Sequence, residues 1–442
     1  MVYLLGKTKL IIFVVSLKDN QRSWNESIGT RSGRYVHTAR DFFRVMFRSK
    51  LIVNCHLLQV TCERIVRAFI VRCREVNPVL NAISENRFCN AIDEAHTIDQ
   101  MIDSGVKTEE ELERDTPLLG VPFTVKESCG LKGMKFSVGC TLRDGMKAME
   151  NGAAVEKLVK AGAIPILVSN TPELCCSIET YNFITGRTNN PYNRFRTSGG
   201  SSGGEAALLG SGASVIGIGS DMGGSIRVPA MFNGVYGHKP TPGIIDLTGH
   251  FPLDPSPDFQ KVLCIGPMTR YAEDLTPMFK ILAGDKASSL NLDHKVNFKK
   301  ITFIAQKKWE KTILFLFSSI FYPSLWRVFW SPIETNSCKI SSMNFFFSQN
   351  LLKDNGVLLC PTSAQPAFYH GLFPLKQTLT CQAFLFNILH LPATNVPLGL
   401  NSQGLPIGLQ VVAGPGQDKL CFQVAEELEA AFGGWVPPPS SY

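Results

Sequence analysis

The spacing of apolar residues changes repeatedly along this chain of 442 residues, and the changes predict alternating helices and strands. Between residues 51 and 105, Ile65, Ala68, Phe69 and Val71 recur at helical spacing, and a second such run covers Arg87 to Asp103. Residues 106–117 are charged and read as a solvated connector. Leu118 to Val125 is a short apolar run around Pro122, read as a strand leading into Lys126. From Ala153 an amphipathic helix (Val155, Leu158, Val159) ends at Gly162, and the strand Ile164 to Val168 follows, a helix-to-strand unit typical of α/β folds. Ser202 to Leu209 reads as a helix whose first turn is glycine-rich, and Ser214 to Gly219 as a buried strand. A further helical stretch falls within 255–290. The pattern resumes at Gly356 to Cys360, runs through 391–400 and 404–415, and closes with the strand at Val411–Val412 and the helix Leu420 to Phe432.

Composition sharpens this picture at the two ends of the charge scale. The net charge of +7 comes entirely from residues 1–50, where ten Lys and Arg face three Asp and Glu; the body from residue 51 onward is formally neutral. A neutral body lacks the basic face that neutralises phosphates, so nucleic acid is excluded as a partner. The basic segment suits a weak membrane anchor, a targeting segment or an unstructured tail. Leu10 to Leu17 is too short to span a bilayer. Ile313 to Trp330 is long enough but carries Pro323 and Arg327. With Lys307, Lys308 and Lys311 before it and Trp326 and Trp330 at its end, it suits an interfacial segment, with a buried aromatic-rich helix or hairpin as the alternative. The thirteen cysteines show no metal-ligand spacing and read as reduced, mostly buried thiols of a cytosol-facing protein.

The chemistry concentrates in three segments: GVPFTVKES (120–128), TSGGSSGGE (197–205) and GSDMGGSIRVPA (219–230). An amide hydrolase needs a nucleophile, a base that later acts as an acid, and donors aimed at the developing oxyanion. Ser225 fits the nucleophile, because it follows a strand and a turn, Asp221-Met222-Gly223-Gly224, whose missing side chains let N–H groups converge on a carbonyl. Among the eight histidines, His238 lies closest in sequence, but no carboxylate is evident beside it, and a structural role is expected. Lys126 can serve as base when uncharged, and its wall of Val121, Phe123 and Val125 favours that form. Ser201 can bridge the two, accepting a proton from Ser225 and passing one to Lys126. Taken singly, a GGSSGG run is more often a loop or an anion nest, and a lone lysine after an apolar run is more often solvated. The P-loop reading fails because no Gly-Lys-Ser/Thr follows.

Taken together, these stretches resemble the amidase-signature family. The resemblance runs through GVPFTVKES, GGSSGGEAALLGSGAS, GIGSDMGGSIRVPAMFNGVYGHKPTPG and NVPLGLNSQGLPIGLQVVAGP, within 51–300 and 351–440. It implies a single α/β/α domain on a large mixed β-sheet covered by helices, occupying 51–440, with no metal or organic cofactor. It also implies a Ser-Ser-Lys triad: Ser225 as acyl-enzyme nucleophile, Ser201 as the bridging serine on a cis peptide bond, and Lys126 as base. The N–H groups of Met222, Gly223, Gly224 and Ser225 would form the oxyanion hole, Asp221 and Arg227 would brace the turn as a buried ion pair, and Ser202 would help orient Lys126. Within the family, RTNNPYN, GPMTRYAEDLTPM and FGGWV point to fatty-acid amides as substrate, cleaved to acid and amine at a membrane surface; a homodimer is left open. Residues 298–350 do not resemble the family, and a short aromatic-rich stretch stands where a longer section is expected. An enzyme of the same family acting on other amides, an amidotransferase subunit, and a non-catalytic shortened relative are the alternatives.

Overall fold

The computed structural model describes residues 61–298, 301–305, 351–353, 355–376 and 381–439. The basic stretch 1–50, the Leu10–Leu17 and Ile313–Trp330 runs and nearly all of 298–350 lie outside the described residues. A ten-stranded mixed sheet forms the frame. Its strands in chain order are β1 (Ile83–Asn86), β2 (Pro122–Lys126), β3 (Ile164–Ser169), β4 (Ile216–Asp221) and β5 (Tyr236–Lys239). They are followed by β6 (Cys264–Thr269), β7 (Thr302–Ala305), β8 (Gly356–Pro361), β9 (Ala393–Leu400) and β10 (Pro406–Ala413). In space the order is β1-β3-β2-β4-β6-β5-β9-β10-β8-β7. The β2–β3, β2–β4 and β7–β8 pairs are parallel, and the others are antiparallel.

The two N-terminal helices form where the periodicity places them. In α1 (Cys62–Leu80), Thr61 caps the first turn by accepting from the Arg64 N–H, and Ile65, Val66, Phe69, Ile70, Cys73 and Val76 bury one face. Helix α2 (Phe88–Ser104) follows after β1, a short strand that the sequence pattern does not signal. Nor is 106–117 a bare connector: it holds the helix Glu109–Asp115, closed by a reciprocal cap between Thr108 and Glu111. Charge there marks a solvated helix rather than a loop.

The elements that position the site are packed from below. Strand β6 sits between β4 and β5, within 255–290, where the pattern signals a helical stretch but no strand; its residues, CIGPMT, are all buried, so no alternation betrays the strand. Helix α3 (Ala153–Lys160) leads to β3, α4 is Gly203–Gly210 and α5 is Arg227–Phe232. Ala206 and Leu209 of α4 join Ile226, Ala230, Val235 and Met268 in one fully buried cluster. Burying each of the larger side chains contributes roughly 1.5–3 kcal/mol, which holds both glycine-rich segments against the sheet. On the other side of α5, Val228 and Phe232 pack on Phe368 and on Ala383 of α7 (Cys381–Ile388); α6 is Leu275–Ala283. Helix α8 (Asp418–Phe432) closes the fold near the C-terminus.

Candidate active site

Parallel pairing explains why distant segments meet. Strands β2 and β4 lie side by side in the same direction, with Val125 opposite Ile218, so Lys126 and Ser220–Asp221 emerge at the same edge. Such an edge, at the carboxyl ends of parallel strands, is where open α/β sheets place their chemistry. The chain returns to this edge at Gly200-Ser201, which are joined by a cis peptide bond, just before α4 begins.

Lys126 is completely buried and its amine is fully engaged. Lys126 Nζ lies within hydrogen-bond distance of Ser201 Oγ (2.6 Å), Ser220 Oγ (2.9 Å) and the Ser220 carbonyl (3.3 Å). Thr171 Oγ1 donates to the Ser201 carbonyl at 3.1 Å and holds that residue in place. The Ser202 N–H donates to the Ser225 carbonyl at 3.1 Å, tying the two serine segments backbone to backbone. Ser225 is half-buried, and its hydroxyl makes no hydrogen bond within the described residues. Ser202 makes no hydrogen bond to Lys126. Its Oγ donates to the Ser220 carbonyl at 3.3 Å, the same oxygen that accepts from the lysine, so it acts on Lys126 through Ser220.

The turn before Ser225 is organised by one carboxylate. Asp221 Oδ1 accepts from the Gly224 N–H at 2.7 Å, and Oδ2 accepts from the Ile226 N–H at 3.1 Å. Arg227 donates to both oxygens at 3.0 Å, and both side chains are completely buried. Burial alone raises the Asp221 carboxyl, but Arg227, the Gly224 N–H and Asn387 outweigh it and hold it well below the usual carboxylate range. Arg227 also donates to Gln410 Oε1 at 2.9 Å and to Asn387 Oδ1 at 2.5 Å, and Asn387 returns a donor to Asp221 Oδ1 at 2.9 Å. The four amides expected to form an oxyanion hole differ in what they meet. The Gly224 N–H is taken by the Asp221 anion, whereas those of Met222, Gly223 and Ser225 make no hydrogen bond within the described residues.

Three contributors had no signal in the sequence. Ser220 lies inside a buried strand, and Asn387 and Gln410 reach the brace from segments 166 and 183 residues away from their partners. His238 does have a carboxylate partner, contrary to expectation: its Nε2 meets Asp418 Oδ1 at 3.0 Å, and Nδ1 meets Thr394 Oγ1 at 2.7 Å. Burial lowers the His238 imidazole, Asp418 opposes that, and none of its hydrogen bonds reaches Lys126, Ser201 or Ser225. The pair fastens the start of α8 to β5. A cleft of about 500 Å³ walled by Arg196, Phe368, Tyr369 and Gln403, among others, does not include the three candidate residues in its lining.

Residues 64–311 and 342–422 match the family model described as Amidase, with the match interrupted between them. The chain belongs to the amidase family. It is 36% identical to fatty-acid amide hydrolase 2-A of Danio rerio over 468 aligned positions, covering 86% of this chain and 87% of that protein. It is 35% identical to fatty-acid amide hydrolase 2 of Homo sapiens, covering 86% and 88%. The fold matches a crystal structure of an amidase with a TM-score of 0.72 at 21% identity, covering 90% of this chain and all of that one. It also matches native peptide amidase from Stenotrophomonas maltophilia with a TM-score of 0.69 at 19% identity, covering 92% and 99%. This amidase is an amide hydrolase with the mixed-sheet α/β architecture of its relatives. No helix among the described residues is long and apolar enough to cross a membrane.

Proposed function

We propose that this amidase hydrolyses fatty-acid amides to free acid and amine through an acyl-enzyme on Ser225, with Ser201 and Lys126 as its proton relay. The observation that carries the relay is the 2.6 Å contact from Lys126 Nζ to Ser201 Oγ, made in complete burial beside the turn that ends in Ser225. Ser225 Oγ attacks the amide carbonyl carbon as its proton passes to Ser201, whose own proton passes to Lys126. The oxyanion is met by the N–H groups of Met222, Gly223 and Ser225, each such donor contributing about 3–4 kcal/mol in the transition state. When the tetrahedral species collapses, the relay runs backwards and protonates the leaving amine. Water then releases the acid by the same route. The open contact between Ser225 and Ser201 closes in the substrate complex, as catalytic hydrogen bonds commonly tighten there.

The lipid assignment is supported by the two fatty-acid amide hydrolase relatives, each matched over most of its length. An apolar acyl chain reaches such a site most directly from a membrane surface, so peripheral association on the cytosolic side belongs to the same proposal. The test compares kcat/KM for a long-chain primary amide with that for a short aromatic amide. The long chain is expected to be preferred; preference for the short one rejects the lipid assignment while leaving the relay standing.

A further inference from the structure

Glu205 is a completely buried carboxyl four residues beyond Ser201, in the first turn of α4. The fold makes room for it deliberately. A Cβ built on Gly217 of β4 would lie 2.1 Å from Glu205 Oε2 and 2.9 Å from Thr124 Oγ1, so only glycine leaves the space. Thr124 and Lys126 alternate in phase along β2 and share one face of the sheet. The carboxyl and the amine of Lys126 therefore occupy the same buried layer, close enough to interact electrostatically.

Proton counting favours the acid form of this carboxyl. Ser214 Oγ lies 2.8 Å from the Ile216 carbonyl, which can only accept, so the single Ser214 proton is committed there. Thr124 Oγ1 has one proton for two contacts, 3.1 Å to Ser214 Oγ and 2.6 Å to Glu205 Oε2. All three contacts are hydrogen bonds at once only when Glu205 is an acid, because its proton makes up the one that the two hydroxyls lack. The other oxygen agrees. Glu205 Oε1 makes no hydrogen bond, and Ser169 Oγ, which faces it, is also unpaired; a bare buried oxygen is tolerable on an acid and costly on an anion.

We propose that Glu205 is a carboxylic acid in the working enzyme and a positioning residue for the base: by keeping its own proton it denies Lys126 an anionic partner, leaving the amine free to take the Ser201 proton. The link to catalysis rests on the reading of Lys126 as base. An ionised Glu205 in this layer would be an anionic partner for the Lys126 amine. Burial is the largest influence on Glu205 and pushes it up to about 7. The titratable groups facing it are Lys126 from β2, Cys129 from the loop after β2 and Cys73 from α1, with His250 facing Lys126 beyond. Burial pushes both thiols up to about 12, so neither competes for the proton at neutral pH.

Two readouts on the full chain test this. The infrared difference between wild type and Glu205→Gln should show a carboxylic-acid carbonyl band at pH 6 that gives way to carboxylate bands as pH rises through about 7. In parallel, the ratio of wild-type to variant kcat/KM should fall by about threefold or more between pH 6 and 8.5, because only the wild type acquires an anion beside the base. Carboxylate bands at pH 6 overturn the proposal. An acid band with a pH-independent ratio overturns its link to Lys126. Should Lys126→Ala retain amide hydrolysis, the relay reading fails while the infrared result still stands by itself. If Glu205→Gln does not fold, Thr124→Val serves instead: it strips the hydroxyl that receives the proton and should shift the acid band, whereas no shift overturns the assignment.

Discussion

Replacing Asp221 by Asn is the most informative perturbation of the scaffold. The substitution keeps the shape of the side chain but removes the charge that compensates Arg227, whose guanidinium is completely buried. Arg227 retains Gln410 and Asn387 as neutral acceptors, while one oxygen facing the Ile226 N–H and the guanidinium becomes an NH₂ group that opposes other donors. Breaking a buried pair by removing one partner costs about 3–5 kcal/mol, a large share of the roughly 5–15 kcal/mol that holds a protein folded. Urea denaturation at pH 7 should therefore show a lowered midpoint with an unchanged slope. A cycle with Arg227→Met should recover much of the loss, because the double variant leaves no buried charge behind. The sign with pH follows from the depressed Asp221 carboxyl. Its contribution is present above the ordinary value near 4 and is lost as pH falls through the lower value of the folded state. Between pH 5 and 8 the gap between wild type and variant should be constant, and it should narrow only in stronger acid. A loss below about 1 kcal/mol, or additive single variants, would refute the view that this pair braces the turn.

Two further substitutions probe the site itself. Gly224 has φ of +107°, and a Cβ there would lie 2.7 Å from Ala383 Cβ, so Gly224→Ala must move the turn or α7. Displacing its donors should lower kcat about 100-fold with little change in KM; a kcat within threefold of wild type would show that the turn does not hold the oxyanion. Lys126→Ala should abolish measurable amide cleavage and slow fluorophosphonate labelling, and unchanged rates would remove Lys126 from the relay.

What was legible in the sequence divides along the range of the interactions. Helices α1, α2 and α8 announce themselves because each buries a single face, which leaves a local 3.6-residue period. Strand β6 does not, because it is buried on both faces and its Gly and Pro imitate a loop. Lys126, Ser201 and Ser225 could be singled out because each sits at the end of an apolar run or in a glycine-rich turn. The contacts that organise them are another matter. Ser220 looks like any serine in a strand until β4 is laid parallel to β2, and Asn387 meets Asp221 from 166 positions further along the chain. Asp418 shows the same limit, since a carboxylate 180 residues from His238 leaves no trace near it in the chain.

The central claim, that Ser225 is the nucleophile served by Ser201 and Lys126, is tested most directly by covalent capture. The folded protein is treated with a fluorophosphonate, digested, and the modified peptide sequenced by mass spectrometry. One adduct on Ser225, absent from Ser225→Ala and formed much more slowly in Lys126→Ala, is the expected result. An adduct at another residue, or none on a folded chain, would contradict the account.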